Sequence, residues 1–238
     1  MPQQIEYSVV IPLYNEEESL PVLQEELHAA MESLERGYEI IYVNDGSTDS
    51  STEVLGALKE GYVNIKIISL AKNRGQDEAL AAGFKASLGE WIITMDADLQ
   101  NPPSEIRKLL EFKDGYDLII SRRKRRKDSY SKIAASGLAR LIRFMVLGDT
   151  CKDAGAALRI YRRSMISEIP LFRRFYFFFP HIARTKGFKV REIDVEHRRR
   201  RYGRSKYGNL KRAAEGIVDL WNVRRIVKKA GRSPVWSQ

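Results

Sequence analysis

Two carboxylates one residue apart, Asp96 and Asp98, close the apolar run Trp91-Ile92-Ile93-Thr94-Met95, and Gln100 follows two residues later. A run of this kind reads as a buried strand. Open α/β sheets bind ligands beyond the carboxyl ends of their strands. Two carboxylates at such a place repel each other and lose hydration, so they call for a cation. Asp96, Asp98 and Gln100 offer only oxygen ligands. That set suits a hard ion, Mg²⁺ or Mn²⁺, which commonly also holds phosphates. Taken alone, Asp-x-Asp describes a solvated strand end equally well.

Two further apolar runs end in polar groups. The first ends Ile11-Pro12-Leu13-Tyr14-Asn15-Glu16, and the second Val43-Asn44-Asp45-Gly46-Ser47. Glu16 can accept from a ribose hydroxyl and Asp45 from a base N–H. Gly46 permits a tight reversal or a close ligand approach. Asp-Gly-Ser by itself also reads as an ordinary turn. No Gly-x-Gly-x-x-Gly and no P-loop lysine motif occurs, which argues against a dehydrogenase or an NTPase.

The elements that must carry these residues alternate through the first half. Strands are predicted at Tyr7–Ile11, with Pro12 ending the first, then at Glu39–Val43, Ile65–Leu70, from Trp91, and at Asp117–Ser121. Between them lie helices at Ser19–Leu34, from a cap at Asp49 or Ser50 to about Lys59, at Gln76–Ser87, and a short one after Ser104. This βαβα order implies an α/β fold with a mostly parallel sheet covered on both faces. Further on, Ile133–Leu147 reads as an amphipathic helix with Arg140 and Arg143 opposite its apolar residues. Ala156–Tyr161 and Phe188–Val195 read as strands, and Asn209 to about Lys229 as a helix.

The 238 residues suffice for one large α/β domain, here 1–207, with a basic, helical extension at 208–238. The net charge of +10 points to an anionic partner, whether phosphorylated substrate, anionic lipid or nucleic acid. Basic clusters lie at Arg122 to Lys127, at Arg198 to Arg201 with Arg204 and Lys206, and at Arg224 to Arg232; each also reads as a solvated face. Cys151 is the single cysteine, so no disulfide framework exists and a cytosolic setting is expected. No signal peptide is visible after Met1, and no stretch reaches the roughly 20 apolar residues of a membrane span.

The combination of Asn15-Glu16, Asp45 and Asp96-x-Asp98 resembles the family-2 glycosyltransferases of the GT-A (Rossmann-like) fold. The resemblance extends through Asn73-Arg74-Gly75-Gln76, Asp96-Ala97-Asp98-Leu99-Gln100-Asn101-Pro102-Pro103, Ser121-Arg122, Asp153-x-Gly155 and Arg200-x-x-Gly203-x-Ser205-Lys206. These motifs together are similar to the branch that glycosylates polyprenyl phosphates, which includes dolichol-phosphate mannose synthases and bacterial undecaprenyl-phosphate sugar transferases. The resemblance implies metal-dependent, inverting transfer of a sugar from a UDP- or GDP-sugar to a polyprenyl phosphate. It puts Pro12, Tyr14, Glu16, Asp45, Gln76 and Asp96 on the donor, and Asp98 and Gln100, with Asp96, on Mg²⁺ or Mn²⁺. Arg122, Lys132, Arg200, Ser205 and Lys206 surround the acceptor phosphate and the donor diphosphate. Asp153 lies near the reacting centre, as a base or, preferably, as a group orienting an arginine.

The chemistry agrees with that assignment. The departing diphosphate gathers charge that a divalent ion and Lys206 can stabilise. A phosphate acceptor is already an anionic nucleophile. It needs arginines to offset repulsion from the donor more than it needs a base. On the lipid side, the Ile133–Leu147 helix and the Phe172–Phe179 aromatic run can form an amphipathic surface dipping into headgroups, although for at least some of those phenylalanines a core position is favoured, because a helix carrying them must bury one face. Peripheral binding at the cytoplasmic face of a membrane, or a separate membrane subunit, would replace the C-terminal transmembrane helices of many bacterial members. Lys132 stands where the family often has arginine. Two other readings are a soluble glycan hydroxyl as acceptor, which would make Asp153 an indispensable base, and a basic nucleic-acid-binding module. The strand-end carboxylates count against the second, because they would repel a phosphate backbone.

Overall fold

The computed structural model describes residues 4–123, 130–169, 171–172, 174–202, 220 and 223–225, with the backbone alone for 130–136 and 139. The chain builds a seven-stranded sheet in the order β3-β2-β1-β4-β6-β5-β7. The strands are β1 (Ile5–Leu13), β2 (Gly37–Asn44), β3 (Ile65–Ser69), β4 (Trp91–Thr94), β5 (Leu118–Arg123), β6 (Arg159–Arg162) and β7 (Val190–Val195). All are parallel except β6, which runs against both β4 and β5. That reversal matters for the site. Arg159 pairs with Thr94, so the segment leading into β6, with Asp153 and Gly155, arrives at the carboxyl end of β4. The Thr94 hydroxyl fastens it there by donating to the Ala157 carbonyl at 3.1 Å.

Helices cover both faces. They are α1 (Leu20–Glu32), α2 (Ser51–Gly61), α3 (Gln76–Ala86), α4 (Glu105–Leu110), α5 (Tyr130–Leu147), α6 (Arg163–Glu168) and α7 (Phe175–Thr185). Strand alternation divides the core. Val9, Ile11 and Leu13 of β1 face Leu20, Leu23, Leu27 and Met31 of α1. Val10 faces the opposite layer, with Leu80 and Phe84 of α3. On that side Gly83 lets α3 approach β1 closely, because an added Cβ would sit 2.2 Å from Val10 Cγ1.

Three expectations change. Pro12 does not end β1 but lies buried within it, opposite Val43. The Val10 carbonyl faces β4 and the Leu13 carbonyl faces β2. The position of Pro12 therefore looks toward β4, which has already ended at Thr94, and no ladder bond is lost. The aromatic run is not a lipid surface: Phe175, Tyr176, Phe178 and Phe179 are buried. Edge-to-face contacts of Tyr161 with Phe84 and Phe179 lock that layer.

Helix α5 is turned the other way from an ordinary surface helix. Arg143 is buried, ion-paired with Asp149 at 3.0 Å and donating to the Cys151 carbonyl at 2.8 Å. Ile142, Val146 and Leu147 rest against the core, while Leu138, Leu141, Phe144 and Met145 are more than half exposed. Among the described residues no helix is long and apolar enough to cross a membrane. The predicted tail helix falls mostly outside the described residues, and its Leu220 and Val223 are buried in the α3/α7 layer.

Gly83→Ala is expected to destabilise the protein by about 1–3 kcal/mol, since Val10 is hemmed in by core and has little room to yield. Urea unfolding followed by circular dichroism measures this. An unchanged midpoint would mean that α3 does not need the close approach.

Candidate active site

The loops after β1 and β2 are zipped together by their own polar groups. Asn15 adopts a left-handed backbone at φ 54°, which asparagine tolerates better than most residues. Its N–H donates to Ser47 Oγ at 2.9 Å, and its Oδ1 accepts from the Thr48 N–H at 2.7 Å. The Glu16 N–H donates to Ser51 Oγ at 2.9 Å. The Glu16 carboxylate is thereby held at the mouth of the strand ends, where Ser19 Oγ also donates to it at 3.0 Å. Asp49 serves at the start of α2 as expected, its Oδ1 accepting from the Ser51 N–H at 3.0 Å.

Asp45 is buried just past β2. Its two oxygens accept the N–H groups of Arg74 and Gly75, at 2.7 and 2.8 Å. It thus clamps the loop that introduces α3. Gly46, at φ +68°, lies against that loop, and a Cβ there would come within 2.5 Å of the Lys72 backbone. A carboxylate oxygen carries further lone pairs, so the clamp leaves Asp45 able to accept from a ligand. At the first position of α3, Gln76 Nε2 donates to Asp96 Oδ1 at 2.9 Å.

At the end of β4 the two aspartates diverge. Asp96 turns to Gln76. Asp98 accepts from the Gln100 N–H at 3.1 Å and faces Arg200, whose Nη1 lies 3.6 Å from Asp98 Oδ2. The other end of that guanidinium donates to the Glu16 carboxylate, and Nε donates to the Tyr202 carbonyl at 2.9 Å. The Arg198 N–H fastens the same segment to the Gln100 carbonyl at 2.8 Å. Asp96 is crowded by protein atoms and by the charges of Asp98 and Glu16. Burial first, and these neighbours second, raise its pKa from 3.8 to about 7, against the weaker opposing pull of Arg159 and Arg200.

The donor set fits a hard divalent cation. Among the described residues no group of three His, Cys, Asp or Glu side chains is arranged to enclose an ion. Mg²⁺-type ions, however, lean on one or two carboxylates and complete their shell with phosphate and water. Asp98 meets that requirement, with Asp96 beside it at the same strand end.

The remaining predicted residues are distributed less closely. Asp153 is buried and held by Arg123, whose Nε and Nη2 donate at 2.8 and 2.7 Å. It is paired with an arginine, Arg123, which no motif singled out. Arg122 forms a two-pronged pair with Asp194 of β7, its Nη2 donating at 2.7 Å. Pro12 and Tyr14 lie in β1 and directly after it. The Lys132 side chain, Ser205 and Lys206 lie outside the described residues.

The structure adds residues that no motif marks. Arg123 is hidden in the basic cluster beginning at Arg122. Asp77 looks like an ordinary acidic residue in the first turn of α3, but it accepts from the N–H groups of Arg174 and Tyr176 at 2.8 and 3.3 Å, so it ties α7 to α3. Arg159 is fully buried. It donates to the carbonyls of Ala154 and Ala156 at 2.6 and 2.9 Å, and its guanidinium lies 3.7 Å over the Tyr176 ring.

Comparison with known proteins agrees with this geometry. The family model described as Glycosyl transferase family 2 matches residues 8–170. An undecaprenyl-phosphate 4-deoxy-4-formamido-L-arabinose transferase of Pectobacterium carotovorum subsp. carotovorum (strain PC1) is 44% identical over 207 residues, covering 86% of this chain and 63% of the relative. A protein of the same name from Yersinia pestis (strain Pestoides F) is 41% identical over 215 residues, covering 90% and 65%. The chain thus spans less than two thirds of the length of these curated relatives. Among solved structures, mannosyl-3-phosphoglycerate synthase from Rubrobacter xylanophilus superposes with a TM-score of 0.70 at 18% identity, covering 96% of this chain and 76% of that one. Glucosyl-3-phosphoglycerate synthase from Mycobacterium tuberculosis, in complex with Mn²⁺, UDP-glucose and phosphoglyceric acid, gives 0.68 at 18% identity, covering 92% and 79%. These neighbours establish the GT-A fold.

The Asp96 shift has a stability consequence. The unfolded chain ionises Asp96 near 3.8, whereas the folded, metal-free chain keeps its proton up to about 7. Folding therefore binds a proton between those values, and this group's contribution to stability falls as pH rises through that window. Asp96→Asn removes the dependence. The melting temperature of metal-free wild type, relative to Asp96→Asn, is expected to drop between about pH 5 and about pH 8. A difference that does not vary with pH would contradict the assignment.

Proposed function

The chain belongs to glycosyl transferase family 2, and from that membership we propose that it transfers a sugar from a UDP- or GDP-sugar to a polyprenyl phosphate, with Mg²⁺ or Mn²⁺ and with inversion at the anomeric carbon. The observation that carries the reading is the meeting of Glu16, Asp45, Asp96 and Asp98 at the carboxyl ends of β1, β2 and β4, with Arg200 laid across Glu16 and Asp98. Relatives named undecaprenyl-phosphate transferases support the acceptor class. A neighbour of the same fold that binds Mn²⁺ and UDP-glucose supports the donor and the ion.

In this reading Asp45 and Glu16 receive the nucleoside, and Gln76 fixes the orientation of Asp96. Asp98, with support from Asp96 and Gln100, would hold the divalent ion, which would supply positive charge beside the departing diphosphate. Arg200, with Arg122, Lys132, Ser205 and Lys206, meets the phosphates of donor and acceptor. Asp153 keeps its ion pair with Arg123 and takes no proton, because the acceptor is ionised before it arrives. A neutral hydroxyl acceptor would need a free base, and the buried, two-pronged Asp153–Arg123 pair disfavours that role.

The same proposal makes α5 the membrane-facing element. Its row Leu138, Leu141, Phe144 and Met145 is exposed, while the buried Arg143–Asp149 pair fixes the helix in that orientation. An apolar row on a protein of net charge +10 suits an anionic lipid surface, where the polyprenyl chain of the acceptor is also buried.

The direct test is transfer of labelled sugar into an organic-extractable product, using a panel of UDP- and GDP-sugars, a short polyprenyl phosphate and Mg²⁺ or Mn²⁺. A lipid product abolished by EDTA is expected, and Asp98→Ala should lower its formation about a thousandfold or more. Near-normal turnover of Asp98→Ala would remove Asp98 as the metal ligand. For the membrane face, a Leu141→Glu, Met145→Glu double variant should lose most co-sedimentation with phosphatidylglycerol vesicles while still using a water-soluble short-chain acceptor. Unchanged sedimentation would put the lipid surface elsewhere.

A further inference from the structure

Arg200 occupies an unusual position for a phosphate-binding arginine. Its guanidinium is directed into the carboxylate pocket, donating to Glu16 and lying 3.6 Å from Asp98 Oδ2, and its Nε is fixed on the Tyr202 carbonyl. Glu16 and Asp98 are nearly buried, with side-chain exposures of 11% and 12%. Ionised carboxylates this enclosed need a positive charge beside them. Arg159 also acts on Asp96 of this cluster, but it donates to the carbonyls of Ala154, Ala156 and Tyr176.

We propose that Arg200 is the resident counter-cation of the donor pocket and exchanges with the divalent ion. With no donor bound, the guanidinium neutralises Glu16 and Asp98. When the ion arrives with the nucleotide diphosphate, a guanidinium between the same carboxylates would be repelled by it. Arg200 gives up Glu16 and Asp98 and takes the diphosphate oxygens as its new acceptors, a geometry in which guanidinium donates in pairs. The Glu16 oxygen that Arg200 held can then accept from the ribose, while Ser19 keeps its bond to the other oxygen. No bond is made or broken; one cation replaces another on the carboxylates, and the displaced one follows the incoming anion. Binding of metal and donor is thereby made interdependent. The ion alone must compete with Arg200, whereas ion and diphosphate together supply both the replacement charge and a new partner for it.

The inference rests on the proposed metal role of Asp98, and the test separates the two. Mn²⁺ alone, without nucleotide, is titrated into the whole chain and free Mn²⁺ is followed by electron paramagnetic resonance. Arg200→Gln should bind Mn²⁺ about tenfold more tightly than wild type, because the competing charge is gone. Arg200→Lys, which keeps the charge, should stay near wild type. In saturating Mn²⁺, Arg200→Gln should bind UDP more weakly than wild type. Equal or weaker Mn²⁺ binding by Arg200→Gln, or equal tightening by Arg200→Lys, would overturn the exchange. If Asp98→Asn leaves Mn²⁺ binding unchanged, the metal assignment itself fails and the exchange falls with it. Loss of Mn²⁺ in Asp98→Asn together with an inert Arg200→Gln would overturn the exchange alone.

Discussion

Negative charge gathered at the ends of parallel strands is the constraint on which the rest of the structure turns. Glu16, Asp45, Asp96 and Asp98 are brought to one edge of the sheet because β1, β2 and β4 are neighbours and run the same way. Carboxylates so placed repel one another and are poorly hydrated, and Asp96 registers this as a pKa near 7. The protein answers in three ways. Asp45 is satisfied by backbone N–H groups, Asp96 by Gln76, and the Glu16–Asp98 pair by Arg200. The last of these partners is a charged side chain on the segment after β7, beyond the sheet.

Around that edge the fold is stiffened by further side-chain contacts. Neighbouring residues of α3 act in two directions: Gln76 reaches Asp96, and Asp77 holds the first turn of α7. Arg159 then binds α7 to the segment before β6, and Tyr176 returns the contact through its hydroxyl, which donates to the Ala157 carbonyl at 2.7 Å. That segment carries Asp153. The donor-side carboxylates and the Asp153–Arg123 pair are thus connected by way of α3, α7 and the segment before β6. On the far side of α7, the Arg143–Asp149 pair fixes α5 with its apolar row outward, and Arg184 joins Glu192 to the same cluster at 3.1 Å.

Much of this was legible in the residues because strand ends announce themselves. Apolar runs broken by Asn15-Glu16, Asp45-Gly46 and Asp96-x-Asp98 locate three neighbouring strands and the ligand edge without any contact information. The helices that cover them follow from spacing alone, as the buried row Leu20, Leu23, Leu27 and Met31 shows. What stayed hidden depends on long-range pairing. The antiparallel course of β6 is not written in Arg159–Arg162 but in its neighbours β4 and β5. Pro12 looked like a strand end because its missing N–H matters only if a partner strand is still present. The aromatic run suits both lipid and core, and packing against Phe84 and Tyr161 decided for core. Arg123 and Arg122 are indistinguishable in sequence, yet Arg123 pairs with Asp153 and Arg122 with Asp194.

Where the ion binds, and what it displaces, decides how the site works. Crystals of the whole chain grown with Mn²⁺ and UDP, measured at a wavelength where manganese scatters anomalously, would show this in one experiment. The predicted result is an anomalous peak at bonding distance from the Asp98 carboxylate, adjoining the diphosphate, with the Arg200 guanidinium withdrawn from Glu16. A peak remote from Asp98, or UDP bound with Arg200 still seated on Glu16 and Asp98 and no metal between them, would contradict it.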